Sequence, residues 1–436
     1  MRVPETHWLY PEEQASVVER LLEFGLLKFD NGRSLPLKKG GFTDVYINLR
    51  DARDNPDAIR FVSDLYVHPF RYMGVDRLVE VPDSVSCFAP LICQALNLPY
   101  LTIRSEEKAG RVSDAKMIGH PKKGEAVGVL DDVITDGASK VGPYRLCQSL
   151  GLNTRALVVL VDRQQGWREK FVSEGVSVPV WAGMTLHDVR RHLIQTLGVM
   201  KRCSPDVEAK NPIIVAYDGK SWDEILPILD QLRTTGCIAK VNDLLFDEGF
   251  AHLLPNLSVY ARVMVDVKEH DISNTVTNIT RRIRPHQPWA ITVHASGGKE
   301  MVEAAVKALE GTPTKVLAVT VLTSIDPVTC DEIYQRIPLE QVLKLAEIAH
   351  NGGAHGFVCS PQEAQVLRQK YPEATIVTPG VRSPGAEAGD QQRIDTPAAA
   401  IDNGASNVVM GRQLLGAADP VQEVKRVMSE ELRITA

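Results

Sequence analysis

The sequence of 436 residues predicts two α/β domains, the second of them a (β/α)₈ barrel. Two observations lead to this prediction. Short apolar runs alternate with segments of helical spacing along the chain, which is typical of parallel sheets whose strands are connected by helices. Residues 213–410 alone contain eight strand-like runs, the number that closes a (β/α)₈ barrel. The length is sufficient for two domains with large cores.

The first predicted domain covers residues 1–198. Apolar residues at helical spacing predict a helix over 12–26, and short apolar runs predict strands at 45–49, 78–81, 100–103, 126–130 and 156–161. Helical stretches separate several of these runs, so a largely parallel sheet is expected. Residues 199–211 are polar and aperiodic and are predicted to be a short linker, which leaves 212–436 for the barrel.

The amino-acid composition indicates which kinds of partner the protein can bind and in which cellular compartment it is expected. The hydrophobic fraction of 44% and the charged fraction of 24% are those of a soluble globular protein, and a net charge of −6 offers no basic surface for nucleic acid. The N-terminus lacks the apolar core of a signal peptide and no run is long enough to cross a bilayer, so a cytoplasmic protein without a membrane partner is expected. Seven cysteines without Cys-x-x-Cys spacing indicate reduced thiols, and no metal site is expected in the barrel.

The predicted barrel strands end in polar residues. Active sites of such barrels lie at the C-terminal ends of the strands. Taken in chain order, the residues at these ends are Asp218, Lys240, Asp266 with Lys268, His294, Thr323, Ser360, Arg382 and Arg412. So many polar and charged residues at successive strand ends indicate a catalytic or binding site.

The most specific indication of function lies in residues 264–275, which read Met-Val-Asp-Val-Lys-Glu-His-Asp-Ile-Ser-Asn-Thr. Asp266 and Lys268 are two apart and are therefore expected on one side of an extended strand. A structural ion pair is the simplest interpretation of these two alone. With Asp271 and Asn274-Thr275 following, however, the segment resembles orotidine 5′-phosphate decarboxylase, whose signature is Asp-x-Lys-x-x-Asp with Asn-Thr behind it. This resemblance extends over nearly all of residues 213–430.

The resemblance implies cofactor-free decarboxylation of orotidine 5′-phosphate to UMP, a step of pyrimidine biosynthesis. It implies that Lys268, Asp266 and Asp271 are catalytic, with Asp271 acting in the neighbouring subunit of a homodimer. The substrate contacts that it implies are Asp218 and Lys240 at the ribose, Thr323 at the pyrimidine, Arg382, Gln391 and Arg412 at the phosphate, and in addition Thr275 and Gly411. No acid follows His294 or Ser360 at a useful spacing, so both are expected to be pocket wall or core.

In the first domain, the run 126–130 leads into Asp131-Asp132-Val133-Ile134-Thr135-Asp136-Gly137-Ala138-Ser139. Carboxylates followed by a turn at a helix N-terminus suit a ribose phosphate, although a polar loop that caps a helix is the simpler interpretation. The segment resembles the phosphoribosyl-pyrophosphate (PRPP) motif of type I phosphoribosyltransferases. Within this group, residues 37–50 and 159–163 resemble sequence patterns of orotate phosphoribosyltransferase. This resemblance implies orotate and PRPP with Mg²⁺ as ligands, bound by Lys38, Arg104, Lys108, Asp131, Asp132, Thr135, Gly137 and Arg163. Taken singly, Lys38 would be interpreted as a solvated loop lysine and Arg163 as part of a surface ion pair with Asp162.

The order of the two domains resembles UMP synthase, but the first departs from its family. Ser105 and Gly110 replace a lysine and a histidine of the family's loop, and Glu80 and Asp136 place negative charge where pyrophosphate and phosphate would bind. Transferase activity is therefore expected to be weak or absent. Two alternatives remain: the first domain is a non-catalytic ligand-binding or dimerising module, or the barrel is a Mg²⁺-dependent decarboxylase of a keto-sugar phosphate, which shares Asp-x-Lys-x-x-Asp.

Overall fold

A computed structural model describes residues 5–37, 42–104, 116–384 and 395–434. The chain divides into two compact units, Met1–Lys201 and Arg202–Ala436. In the part of the chain that the structure describes, no helix combines the length and the apolar character that crossing a membrane requires. The seven cysteines all fall within the described ranges, and none of them forms a disulfide.

The described part of the first unit is mixed α and β. Its strands are β1 (Glu5–His7), β2 (Leu27–Phe29), β3 (Leu35–Pro36), β4 (Phe42–Thr43), β5 (Val45–Ile47), β6 (Arg77–Glu80), β7 (Tyr100–Ile103), β8 (Met117–Ile118), β9 (Ala126–Leu130), β10 (Val133–Ile134), β11 (Asn153–Asp162) and β12 (Val180–Thr185). Its helices are α1 (Pro11–Glu23), α2 (Pro56–Met73), α3 (Ala89–Leu96), α4 (Ala138–Ser149), α5 (Trp167–Ser173) and α6 (Leu186–Arg191), with a 3₁₀ helix at Leu49–Asp54 and a π turn at His192–Thr196.

The main sheet of the first unit has the order β1-β12-β11-β9-β6-β7-β8, and β10 pairs with β11. All of its pairs are parallel except β7 with β8. The prediction of an alternating α/β domain with a largely parallel sheet is therefore confirmed. The antiparallel pairs β2–β5 and β3–β4 lie outside this sheet.

In the second unit the strands are β13 (Ile213–Ala216), β14 (Ile238–Val241), β15 (Arg262–Glu269), β16 (Ala290–His294), β17 (Lys315–Val319), β18 (Gly356–Val358), β19 (Thr375–Thr378) and β20 (Asn407–Met410). The helices are α7 (Pro205–Lys210), α8 (Trp222–Leu232), α9 (Leu244–Glu248), α10 (Phe250–Ser258), α11 (Ser273–Ile283), α12 (Lys299–Ala308), α13 (Pro327–Tyr334), α14 (Pro338–Asn351), α15 (Ala364–Lys370), α16 (Pro397–Asp402), α17 (Arg412–Leu415) and α18 (Pro420–Arg426). Shorter helical turns lie at Arg233–Thr235, Arg284–His286, Ala295–Gly297 and Val427–Glu431.

The eight strands β13 to β20 form a closed barrel, which confirms the prediction from the sequence. Each strand pairs in parallel with the next, and β20 pairs with β13. One side chain from each of seven strands fills a buried layer inside the barrel: Ile214, Ile238, Met264, Ala290, Leu317, Val377 and Val409. The interior is thus a packed core, and the strand ends above this layer are available for chemistry.

The segment predicted as a linker is folded over part of its length. Helix α7 occupies residues 205–210 and belongs to the second unit. Glu208 of this helix accepts hydrogen bonds from Arg202 Nε at 2.6 Å and Nη2 at 3.2 Å. The polar composition that predicted a linker therefore reflects a short surface helix in this part of the segment.

Candidate active site

Four charged side chains of alternating sign meet at the C-terminal ends of β13, β14 and β15. The ammonium of Lys240 lies 2.7 Å and 2.9 Å from the two carboxylate oxygens of Asp218 and 3.0 Å from Asp266 Oδ2. The same Oδ2 accepts a hydrogen bond from Lys268 Nζ at 2.9 Å. One oxygen of Asp266 thus serves both lysines, and the four groups form the series Asp218, Lys240, Asp266, Lys268.

An irregularity in β15 shapes the end of this series. The register between β15 and β16 shifts between Val265 and Glu269, and Lys268 has a φ of 50°. A non-glycine residue in this left-handed region costs of order 1 kcal/mol, so contacts elsewhere must hold it there. The buried Thr292 of β16 supplies them: its hydroxyl accepts from Lys268 N at 2.9 Å and donates to Asp266 Oδ1 at 2.9 Å.

The surroundings of Asp266 and Lys240 keep these two groups charged. Burial raises the pKa of the Asp266 carboxyl, but the ammonium groups of Lys240 and Lys268 outweigh burial and hold that pKa below its usual value. Burial likewise lowers the pKa of Lys240, and the carboxylates of Asp266 and Asp218 outweigh it and raise that pKa above its usual value. Lys240 and Asp266 are therefore ionised at neutral pH.

The charged series lines a cavity of about 530 Å³. The size is that of a small-molecule site. Arg382, which follows β19, and Arg412, which follows β20, also line it, as do Thr323 and Gly411. The apolar part of the lining is formed by Ala216, Met264, Val319, Val321, Leu322, Val358, Pro379, Val409 and Leu415. A carboxylate and ammonium series, an apolar wall and two guanidinium groups share one cavity, which suits an anionic ligand with a flat apolar part.

The barrel sequence matches a family model. Residues 211–427 match the model described as the orotidine 5′-phosphate decarboxylase / HUMPS family. Orotidine 5′-phosphate decarboxylase from Mannheimia succiniciproducens is 39% identical over 225 residues, which are 50% of this chain and 95% of that protein. The chain belongs to the orotidine 5′-phosphate decarboxylase / HUMPS family.

Two solved structures also match part of this chain. Orotidine 5′-phosphate decarboxylase from Lactobacillus acidophilus is 33% identical, with a TM-score of 0.44, over 51% of this chain and 99% of that one. UMP synthase from Leishmania donovani is 26% identical, with a TM-score of 0.37, over 42% of this chain and 39% of that one. Family membership rests on the sequence matches, since both TM-scores are below 0.5.

The structure brings together most of the barrel residues that the sequence singled out. Asp218, Lys240, Asp266, Lys268, Thr323, Arg382, Gly411 and Arg412 all line the cavity. Asp271 is exposed, its carboxylate accepts from the backbone N–H of Ile272 at 2.7 Å, and it does not line the cavity of its own chain. Thr275, in the first turn of α11, is also outside the lining. Gln391 lies outside the described residues.

The geometry corrects one step of the sequence reasoning. The sequence predicts Asp266 and Lys268 on one side of a regular strand because they are two residues apart. The structure instead has an irregular strand at this point, and Lys268 has a left-handed backbone conformation. Thr292 is a further site residue that the sequence did not predict. Its signal was present, because Thr292 is a polar residue in the middle of the apolar run of β16, and such a residue inside a barrel needs a polar partner.

His294 and Ser360 do not line the cavity. The ring of His294 lies 5.3 Å from the ring of His270, and burial, together with the nearby charges of His270 and Lys268, lowers the pKa of His294. Ser360 is fully buried and its hydroxyl accepts from the backbone N–H of Gln362 at 3.2 Å. Ser360 therefore belongs to the core, whereas His294 is half-buried and lies outside the cavity wall.

In the first unit, the acidic pair predicted as a ligand site lies between β9 and α4. Asp131 is buried, accepts from the Ser84 hydroxyl at 2.6 Å, and forms an ion pair with Lys140 of α4. Burial, and then the neighbouring Asp131, raises the pKa of the Asp132 carboxyl to about 6. The ammonium of Lys140 therefore already neutralises one of the two carboxylates.

The remaining predicted residues of the first unit are placed as follows. Thr135 donates to Asp136 at 3.4 Å, and Gly137, with a φ of 73°, sits where a Cβ atom would meet Phe171 at 2.9 Å. Arg163 is buried and donates to Thr43 at 3.0 Å, so it does not lie at the surface as the alternative of a surface ion pair assumed. Arg104 is bonded through its backbone N–H to Lys116 O at 2.9 Å. Lys38 and Lys108 lie outside the described residues.

Proposed function

We propose that the second unit decarboxylates orotidine 5′-phosphate to UMP, a step of pyrimidine biosynthesis. The observation that carries the proposal is the Lys268 ammonium, held by Asp266 at the edge of a cavity that also exposes two arginines. The name of the Mannheimia relative supports the same substrate.

The reaction requires a positive charge at one carbon. Heterolysis of the bond between carbon 6 and the carboxylate releases CO₂ and leaves the electron pair in the plane of the ring, where no carbonyl can delocalise it. A pre-placed cation must stabilise this charge as it develops, and a proton must then be delivered to the same carbon. An ammonium group performs both tasks, since it carries the charge and donates the proton, which it regains from water.

The contacts distinguish the two lysines. Lys240 is 7% exposed and contacts three carboxylate oxygens, two on Asp218 and one on Asp266. Lys268 is 31% exposed and contacts only one carboxylate among the described residues, that of Asp266. We therefore assign proton donation to Lys268. Lys240 orients Asp266 and, with Asp218, is assigned to the ribose hydroxyls.

The other residues bind the substrate. Arg382 and Arg412 are assigned to the phosphate, because barrels commonly bind phosphate in the loops after the seventh and eighth strands. Thr323 is assigned to the pyrimidine, and Gln391 and Gly411 keep the substrate contacts inferred from the sequence, whereas Thr275 lies outside the cavity of its own chain. Asp271 is assigned to the site of a second subunit in a homodimer, which agrees with its exposure and with the exposure of Ile272, 71%. The phosphate contacts supply remote binding energy that holds the ring against Lys268.

The test is a decarboxylation assay on the full chain with orotidine 5′-phosphate. Lys268→Ala should reduce kcat by at least about 10³-fold, since the cavity then lacks its proton donor. Exposed Lys307, which pairs with Glu303 on α12, provides the control Lys307→Ala, for which wild-type turnover is expected. Turnover near the wild-type rate by a folded Lys268→Ala protein would refute the assignment.

For the first unit we propose an orotate phosphoribosyltransferase-like ligand site with impaired transferase activity. Asp131, Asp132 and Thr135 lie at the end of β9 and the start of α4, where such a site is expected, and Arg163 is directed to Thr43. The residues fit a complex of Mg²⁺ and PRPP poorly, because the ammonium of Lys140 already neutralises the buried Asp131. A non-catalytic binding or dimerising module is the alternative.

A coupled assay separates these possibilities. The full chain is supplied with orotate, PRPP and Mg²⁺, and UMP is measured; a parallel reaction receives orotidine 5′-phosphate alone. UMP from orotidine 5′-phosphate but little from orotate supports the proposal. Rapid UMP formation from orotate would overturn the impaired-transferase assignment without affecting that of the barrel.

A further inference from the structure

The two arginines of the cavity come from separate segments: Arg382 from the loop after β19 and Arg412 from the start of α17. The residues that follow these arginines are hydrogen-bonded to each other. Ser383 follows Arg382 and Gln413 follows Arg412. The backbone N–H of Ser383 donates to Gln413 Oε1 at 3.1 Å, and Gln413 Nε2 donates to Ser383 Oγ at 2.6 Å. Two opposed hydrogen bonds thus link the loop after β19 to helix α17, one residue from each guanidinium.

Three ionised side chains anchor this pair from the C-terminal helices. Gln413 Nε2 also donates to Glu423 Oε1 at 2.7 Å, and Ser383 Oγ donates to Glu431 Oε1 at 2.5 Å. Arg426 donates to Ser383 Oγ at 3.1 Å and pairs with Glu423 at 2.8 Å and Glu431 at 2.9 Å. Asp419 fixes the start of α18 by accepting from two backbone N–H groups at its N-terminus.

The network does not belong to the cavity itself. Ser383 and Gln413 do not line the cavity, and Ser383 is 8% exposed. The network therefore acts on the site only through the backbone that carries Arg382 and Arg412. Charge-assisted bonds among partly buried groups are stronger than ordinary ones and hold that backbone in one arrangement.

We propose that Ser383 and Gln413 are positioning residues that set the spacing of Arg382 and Arg412 for the phosphate of the substrate. A site that binds one phosphate through two arginines from different loops works only if the loops keep their separation to within about 0.5 Å. Without the link, both segments would have to become ordered when the ligand binds, and this loss of conformational entropy would weaken binding. The inference rests on the proposed function, since it takes the phosphate of orotidine 5′-phosphate as the ligand of the two arginines.

The test compares orotidine 5′-phosphate with orotidine, which lacks the phosphate. For Gln413→Ala and Ser383→Ala, kcat/KM for orotidine 5′-phosphate should fall about tenfold, mainly through a higher KM, because a less ordered phosphate site binds more weakly. The value of kcat/KM for orotidine should stay within about twofold of wild type, since orotidine makes no phosphate contact. Ser383→Thr retains the hydroxyl and should retain the wild-type preference for the phosphorylated substrate.

Gln422→Ala is the matched control, because Gln422 is an exposed glutamine on α18, one residue from Glu423. This substitution should leave kcat/KM unchanged for both orotidine 5′-phosphate and orotidine. Equal losses for both substrates, or no loss for either, would overturn the inference while leaving the decarboxylase assignment intact. Should the wild-type chain fail to convert orotidine 5′-phosphate, the proposed function falls, and this inference falls with it. Thermal unfolding of each variant, measured alongside, identifies any variant that does not fold, and the second alanine variant then decides.

Discussion

Thr292→Val is the substitution that tests the geometry of the site most directly. Valine has nearly the shape of threonine, so the change removes a hydroxyl from the buried interior of β16 without opening a large cavity. Two hydrogen bonds disappear with it: the bond to Asp266 Oδ1 and the bond from the backbone N–H of Lys268. No substrate contact is assigned to Thr292, so any effect on catalysis passes through Asp266 and Lys268.

The expected magnitude follows from these two bonds. A hydrogen bond to a charged group contributes about 1.5 to 3 kcal/mol, and leaving the partly buried backbone N–H of Lys268 without an acceptor costs about 1 kcal/mol, the lower end of the range for buried groups. Thr292→Val should therefore lower the free energy of unfolding by about 3 kcal/mol. The backbone at Lys268 is also released from its left-handed conformation. If about 2 kcal/mol of this loss appears in the transition state, kcat falls about 30-fold.

The assay is steady-state decarboxylation of orotidine 5′-phosphate, combined with urea unfolding. Thr378→Val is the matched control: Thr378 is equally buried in β19, and its hydroxyl donates only to a backbone carbonyl, that of Asn407, at 3.4 Å. The control should lose some stability and keep its kcat. Equal kcat values for wild type and Thr292→Val would refute the view that Thr292 holds the Asp266 and Lys268 pair in place.

Three further predictions concern metal dependence, assembly and pH. EDTA should leave decarboxylation unchanged; activity lost to the chelator and restored by Mg²⁺ would favour a keto-sugar phosphate as substrate. Mixing inactive Asp271→Ala and Lys268→Ala subunits should restore turnover through hybrid sites, whereas no recovery after verified subunit exchange would mean that each site is built from one chain. Burial raises the pKa of the Glu269 carboxyl from 4.5 to about 7. The contribution of this group to the free energy of unfolding is therefore fully present below pH 4.5 and is lost as pH rises through 7. Glu269→Gln should remove that loss, about 3 kcal/mol between pH 4.5 and 8 in urea unfolding, with the exposed Glu310→Gln as control and an unchanged pH profile as the contradicting result.

The sequence predicted the barrel and most of the cavity because both depend on local pattern. Each barrel strand is a short apolar run, and the residue at its end is visible in the sequence. Parallel strands place all of these ends at one edge of the barrel, so Asp218, Lys240, Asp266, Arg382 and Arg412 had to lie near one another once eight strands were counted.

The parts that the sequence did not predict depend on contacts between distant segments. The irregularity of β15 is defined by its register against β16, which β15 alone does not encode. The link between Ser383 and Gln413 spans 30 residues and depends on the way the last helices return to the barrel. Glu269 lies in the sequence beside Lys268 but is buried, with Thr280 of α11 donating to one of its oxygens at 2.9 Å. None of these contacts has a local sequence signal beyond the presence of a polar residue.

A lysine paired with an aspartate at a strand end occurs in both units, and exposure separates their chemistry. In the first unit, the side chains of Lys140 and Asp131 are 8% and 5% exposed, and each satisfies the charge of the other. In the second unit, the series from Asp218 to Lys268 has two open ends, since Asp218 is 46% and Lys268 31% exposed, while the middle pair is buried. A ligand can therefore exchange contacts with the ends without leaving a buried charge unpaired, which would cost several kcal/mol. The first pair offers no such exchange, because a ligand that bound Asp131 would first have to displace Lys140. This difference in exposure, which the sequence does not reveal, supports the assignment of catalysis to the barrel and of an impaired site to the first unit.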